Sequence, residues 1–295
     1  MSADSAELPA EAESSPYLTL GAAVACISVG SILVRLAHAP ALAVAFYRIF
    51  LATLLLAAFA LPALVRSWRG LSRAQVAALL GAGVALGIHF ATWIASLSFT
   101  SVAASVLLVN MAPLFTLLLA RIVLGERVSR AVRVAMTLAV GGAVLIAVGD
   151  WAGGSLLGDG LALAGAVTLS LYHVAGRGLR QALPLPAYVL GVWGTAALTI
   201  ALIALFAHVP LGGYAPRTLG VFLALAVVPT LLGHGLVNRS LRRLPAPTVG
   251  LFLLGEPVLA SLLAYAVFGE RPGAWALAGG AVILGALAVV TAEGR

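Results

Sequence analysis

Residues 113–127 read PLFTLLLARIVLGER, and residues 257–271 read PVLASLLAYAVFGER. At a constant offset of 144 the two runs match at eight of fifteen positions, including the Pro, the Gly-Glu-Arg and the spacing between them. Chance similarity of two apolar segments gives shared Leu and Ala. It does not give a shared Pro and Gly-Glu-Arg at one spacing. The offset extends backwards, less cleanly, to pair His89 with the neighbour of His234 and Ser96-Leu97 with Ser240-Leu241. It extends forwards to pair Gly141 with Gly285. Near offsets of 142–144, LTLGAAVACISVGSILVR in the first apolar segment matches LALAGAVTLSLYHVAGR in the sixth. The chain reads as a duplicated unit.

Composition says what surrounds that unit. Of 295 residues, 62% are hydrophobic and only 9% are charged. The mean hydropathy is +1.11. A soluble domain could not hide that much apolar surface behind so thin a polar shell. One spanning helix needs ~20 apolar residues, and ten such segments can be placed, near 17–37, 40–64, 74–97, 101–124, 130–149, 157–177, 186–208, 217–238, 246–268 and 273–292. The expected fold is an all-α membrane protein of ten transmembrane helices. Secreted, nucleic-acid-binding and cytosolic-enzyme classes drop out. Residues 1–16 carry Asp4, Glu7, Glu11 and Glu13 without Arg, and read as a disordered cytoplasmic tail rather than a signal peptide. Two repeats are expected to follow, at 17–150 and 157–292.

The basic residues set the orientation. There is no lysine, so all 17 cations are Arg, and neither a Walker A loop nor a Schiff-base lysine is available. With both termini cytoplasmic, twelve Arg fall inside, from Arg66, Arg69 and Arg73 to Arg295, against Arg35, Arg217 and Arg271 outside. That is the positive-inside pattern, and it predicts a multi-pass inner-membrane protein. Five spans per unit force the two copies to opposite orientations. Inverted repeats of this kind are common in secondary transporters, which bind substrate near the midplane between the halves. Cys26 is the lone cysteine, which excludes an internal disulfide and cysteine-rich metal sites.

At this point the residues resemble a known family. ATWIASLSFTSVAASVLLVNMAPLFTLLLARIVLGERVS, and LLGEPVLASLLAYAVFGERP in the second half, are similar to the two repeats of EamA-type transporters of the drug/metabolite transporter superfamily. The resemblance covers roughly residues 17–292 and is nearest the branch that exports aromatic and other neutral amino acids. It implies a ten-helix carrier with a central cavity and the fifth and tenth helices peripheral. An Arg in the second helix and a Glu-Pro in the ninth are common in that family.

Candidate residues for substrate binding or coupling follow from depth. Counted along the helices, Arg48 and Glu256 fall near the bilayer midplane, where a charge costs ~3 kcal/mol and needs compensation. Their repeat counterparts, Val192 and Ala112, are neutral. The asymmetry favours a role in substrate binding or coupling, whereas a buried Arg–Glu pair is the structural alternative. Pro113 and Pro257 fall mid-span at equivalent positions and free the carbonyls of Val109 and Leu253, as Pro229 frees that of Leu225. A packing kink is the competing reading. His89, Trp93, Asn110, Tyr172, His173, Trp193, His234 and Asn238 are polar or aromatic groups inside spans, able to line a pocket or to bridge helices. The two Gly-Glu-Arg motifs read as turns and helix caps. Gly81, Gly83 and Gly87 read as packing rather than a dinucleotide loop. His38 and His208 lie near loops and carry no signal.

These features favour a secondary transporter that needs no cofactor and no metal, with a small-molecule substrate, a lipid bilayer around it and no nucleic acid. The favoured activity is export of amino acids by alternating access. An uncoupled facilitator, a drug or other-metabolite exporter, a channel and an intramembrane enzyme are the alternatives. Glu256 is the one carboxylate placed deep in a span, and no Ser sits in a nucleophile elbow. The sequence leaves oligomeric state open, though a monomer suffices for the mechanism.

Overall fold

The computed structural model describes residues 15–96, 99–100, 105, 108–148, 155–269 and 272–293. The expected N-terminal tail, the loop Asp150–Gly154 and the pair Glu270-Arg271 fall on or largely on residues outside this set. The described elements are helices: α1 (Pro16–Leu36), α2 (Ala41–Trp68), α3 (Arg73–Ser96), α4 (Ala112–Val123), α5 (Arg130–Val148), α6 (Leu156–Leu179), α7 (Leu185–Phe206), α8 (Pro216–Ser240), α9 (Ala246–Phe268) and α10 (Ala274–Glu293). Among the described residues, eight are long and apolar enough to cross a bilayer, namely all of these except α4 and α5. α4 has 12 residues, preceded by a stretch that is only partly described.

Local sequence explains the ends. Proline opens α1, α7, α8 and α9 in the first turn, where a missing N–H costs nothing. Ser155 caps α6 by accepting a hydrogen bond from the Gly158 amide at 3.2 Å. Gly125 and Gly269 stop α4 and α9 with φ of 66° and 73°, a conformation that glycine adopts without strain. Two spans depart from regular helix. α8 contains a π-helical segment, Ala226–His234, around Pro229. α9 breaks at Leu254-Gly255 and restarts at Glu256.

The packing repeats under exchange of the two halves. α3 lies along α6, and α8 along α1. α4 packs on α6, and α9 on α1. α3 touches α7, and α8 touches α2. The pairs α2–α7, α5–α10 and α4–α9 map onto themselves. Helices of one half therefore pack mainly on helices of the other. Two large apolar clusters result, beside a small third one at Ala37, Val44, Phe222 and Leu225. One is drawn mainly from α2, α3, α6 and α7, and the other mainly from α1, α5, α8, α9 and α10.

Small residues allow the close approaches. A Cβ on Gly87 would lie 2.7 Å from the Thr199 Cβ, and one on Gly83 2.7 Å from the Val192 carbonyl. α5 and α10 meet at Gly142, where a Cβ would lie 2.6 Å from the Gly279 carbonyl. Gly83 and Gly87 thus serve helix packing. Gly81, in the same run, has nothing within 4 Å.

Candidate functional site

A cavity of about 600 Å³ lies where the two clusters meet, walled by α1, α2, α3, α4, α6, α8 and α9. Nine of the candidate residues line it: Arg48, His89, Trp93, Asn110, Pro113, His173, His234, Glu256 and Pro257. Tyr172, Trp193, Pro229 and Asn238 do not. Trp193 is buried in the α2–α3–α7 core. Asn238 is fully buried, and its Oδ1 accepts a hydrogen bond from the Tyr172 hydroxyl at 2.7 Å.

Both prolines differ from expectation in how they act. Neither kinks a continuous helix. Each stands at the second residue of a new helix, Ala112–Val123 or Glu256–Phe268, after a two-residue turn. Proline tolerates that position and cannot easily continue the preceding helix. Val109 and Leu253, whose carbonyls the prolines were expected to free, are both in the cavity wall.

The breaks are fastened identically. The Ser28 hydroxyl is shared between the Val24 carbonyl at 2.7 Å and the Glu256 carbonyl at 3.3 Å. The Ser170 hydroxyl is shared between the Ala166 carbonyl at 2.8 Å and the Ala112 carbonyl at 2.7 Å. Sequence reading missed both serines, although they coincide at an offset of 142 in the repeat.

The two deep charges share the cavity without an ion pair. Arg48 is 5% exposed. Its Nε donates to the Thr230 hydroxyl at 3.3 Å, and its guanidinium carbon stands 4.7 Å from the centre of the Phe90 ring. The Thr230 hydroxyl in turn donates to the Leu225 carbonyl at 2.8 Å. Among the described residues, the Glu256 carboxylate makes no hydrogen bond or ion pair, though it lines the same cavity as Arg48. A buried Arg48–Glu256 pair is thus not what holds either residue.

The α3–α6 wall is aromatic. His89 Nδ1 lies 2.9 Å from the Gly165 carbonyl, so Nδ1 carries a proton and donates it. The His89 ring stacks on Trp93 at 5.9 Å, and His234 meets Phe90 edge-on at 6.1 Å. Trp93 Nε1 and His173 Nε2 are buried with no protein partner among the described residues. The described residues hold no group of three or more metal-ligating side chains.

The cavity reaches Arg35 at the end of α1, where Arg35 stands over the Phe268 ring at 4.4 Å. Its lining does not extend to Glu126 and Arg177 at the opposite face. Glu126, expected to cap α5, instead reaches across to Arg177 at 2.6 Å and accepts from the Ala246 amide at 3.3 Å. Arg177 also donates to the carbonyls of Leu241 at 3.0 Å and Arg242 at 2.9 Å. One ion pair thus ties the α4–α5 turn to α6, to the end of α8 and to the start of α9. Arg177 and Arg35 are equivalent at an offset of 142.

Apolar helices long enough to span a bilayer, packed as two alike halves around a cavity that holds Arg48 and Glu256, are the architecture of a multi-pass membrane protein. The chain belongs to the EamA-like transporter family, whose model matches residues 14–148 and 156–292. A protein of Streptantibioticus cattleyicolor, named as a probable terminal-alkyne amino-acid exporter, is 29% identical over 182 residues. That match spans 60% of this chain and 59% of the relative's length. A solved crystal structure shares the fold with a TM-score of 0.81 and 22% identity, over 96% of this chain and 98% of the other.

Proposed function

We propose that the protein is a secondary transporter that exports amino acids across the inner membrane by alternating access. The observation that carries this reading is the cavity itself. It holds the Arg48 guanidinium and the Glu256 carboxylate, not paired with each other, in a largely apolar wall with Arg35 at the end of α1. An amino acid supplies the complementary carboxylate and ammonium, and its side chain fits against Phe90 and Trp93. The name of the Streptantibioticus cattleyicolor relative supports the same substrate class.

Ten spans in two inverted units, 17–150 and 157–292, with both termini cytoplasmic, agree with the arginine distribution and with the exchange symmetry of the packing. In that orientation the cavity faces outward, and the Glu126–Arg177 pair closes the cytoplasmic side. Because the halves interleave, the moving bodies are mixed pairs such as α3–α6 and α1–α8, not the two sequence repeats. A monomer contains the whole pathway.

Uptake of labelled L-phenylalanine into proteoliposomes of the purified protein tests the reading. Saturable uptake that unlabelled amino acids compete supports it. Flux of neutral drugs without amino-acid competition would favour a drug or metabolite exporter instead.

A further inference from the structure

Arg48 is not merely tolerated in the membrane; it is aimed. Its Nε is engaged by Thr230, and the Phe90 ring lies against the guanidinium. Among the described residues, Nη1 and Nη2 have no protein hydrogen bond, although the side chain lines the cavity. The edge left open is the two-pronged edge that matches a carboxylate.

The anchor behind Arg48 is built by a local departure from regular helix. Pro229 has no N–H, so the α-helical bond to the Leu225 carbonyl cannot form. The chain runs as a π-helix from Ala226 to His234. The Thr230 hydroxyl donates to the Leu225 carbonyl and still accepts from Arg48. The result is a relay from Arg48 Nε through the Thr230 hydroxyl to the Leu225 carbonyl, with Thr230 fully buried. π-helical turns occur often at functional sites.

The symmetry-related contact, α7 on α3, shows that the fold does not need this device. At an offset of 144, Arg48, Pro229 and Thr230 correspond to Val192, Ala85 and Leu86. There α3 runs as an unbroken α-helix from Arg73 to Ser96. All three parts are present where α2 meets α8, and all three are missing where α7 meets α3.

We infer that Thr230 is a positioning residue for substrate. It locks Arg48 through Nε so that the Nη edge receives the carboxylate of a small organic acid or amino acid in the cavity. The inference rests on the transport reading above, and names which group of the substrate is recognised and how.

Thermal stabilisation of the detergent-solubilised full chain tests it with three matched probes. L-phenylalanine carries both charges, 3-phenylpropionate only the carboxylate, and phenethylamine only the ammonium. A ligand that binds the native state raises its apparent stability. Thr230→Val keeps the shape and removes the hydroxyl, whereas Thr230→Ser keeps the hydroxyl. The concentration of L-phenylalanine and of 3-phenylpropionate needed for half-maximal stabilisation should rise roughly tenfold in Thr230→Val, as for loss of a charge-assisted contact. Phenethylamine should be unaffected, and Thr230→Ser should resemble the wild type. Equal weakening of all three probes, or unchanged carboxylate binding in Thr230→Val, overturns the inference. So does a wild type that neither carboxylate probe stabilises. Stabilisation by 3-phenylpropionate but not by L-phenylalanine, with the same response to Thr230→Val, upholds the inference and removes the amino-acid reading.

Discussion

Ser28 and Ser170 do the same work at equivalent places, each donating a hydroxyl to the carbonyl of the residue just before a helix-opening proline. In one half that residue is Glu256, and in the other it is Ala112. The shared bond serves the break in both spans, while the carboxylate is found at one of them only. Structure and specificity are thus separable at this point of the sequence. Ser28→Ala and Ser170→Ala should each lower stability by about 1 kcal/mol, the net worth of an ordinary buried hydrogen bond. A thermal melt of the solubilised protein checks this. Ser170→Ala should leave ligand affinity unchanged, because its partner carries no charge.

Glycine packing gives a prediction with its own control. Gly87→Ala places a Cβ 2.7 Å from the Thr199 Cβ and should cost roughly 1–3 kcal/mol, as overpacking does. Gly81→Ala meets nothing within 4 Å and should be neutral or stabilising by about 0.5–1 kcal/mol. Melting temperatures that move in the same direction for both would contradict the packing described between α3 and α7.

The Glu126–Arg177 pair should bias the transport cycle. Arg177→Gln removes the ion pair and two carbonyl contacts at the closed face. A loss on the order of 1 kcal/mol shifts a two-state population about fivefold. With Cys26 replaced and a cysteine at Ser31 in the cavity wall, labelling by an impermeant thiol reagent from outside intact cells should fall accordingly. Unchanged labelling would show that this pair does not hold the closed face.

Topology can be checked with the same chemistry. A single cysteine between Leu211 and Pro216 should react in intact cells, and one between Arg66 and Arg73 should react only after the membrane is opened. The reverse pattern would overturn the orientation and the outward-facing assignment with it.

Much of this was legible in the sequence because membranes restrict the options. Long apolar runs could only be helices, and the pair PLFTLLLARIVLGER and PVLASLLAYAVFGER fixed the duplication. Depth along a helix was enough to single out Arg48 and Glu256. What stayed hidden depends on which helices become neighbours. Ser28 and Ser170 look like ordinary small residues until the carbonyls of Glu256 and Ala112 arrive beside them. Pro229 was read as freeing Leu225, but periodicity gives no sign that the span turns π-helical or that Thr230 bonds that carbonyl. Glu126 was read from its local position as a cap, and its partner Arg177 lies across the repeat boundary. Trp193 and Asn238 show the opposite error. Polar and aromatic residues inside spans bridge helices as well as line cavities, and depth alone does not separate the two.

The proline breaks carry a further expectation. Pro113→Ala and Pro257→Ala each restore a backbone N–H and favour a continuous helix through Met111 and Gly255. Transport should fall severalfold in both, with normal membrane insertion. Wild-type flux in both variants would show that the breaks are passive.

In the proposed mechanism Arg48 and Glu256 act on substrate within one cavity, not as a structural pair. Flux of labelled L-phenylalanine in proteoliposomes, measured for the wild type, Glu256→Gln and Arg48→Gln, tests it most directly. A buried pair broken by losing one partner would cost about 3–5 kcal/mol of stability and recover when both are neutralised. The structure shows no such pair, so Glu256→Gln should remain folded, with a melting temperature close to the wild type. It should lose at least tenfold in flux, or lose its pH dependence, whatever residue stands at position 48. A folded Glu256→Gln variant with unchanged flux and an unchanged pH profile would contradict a role for Glu256 in transport.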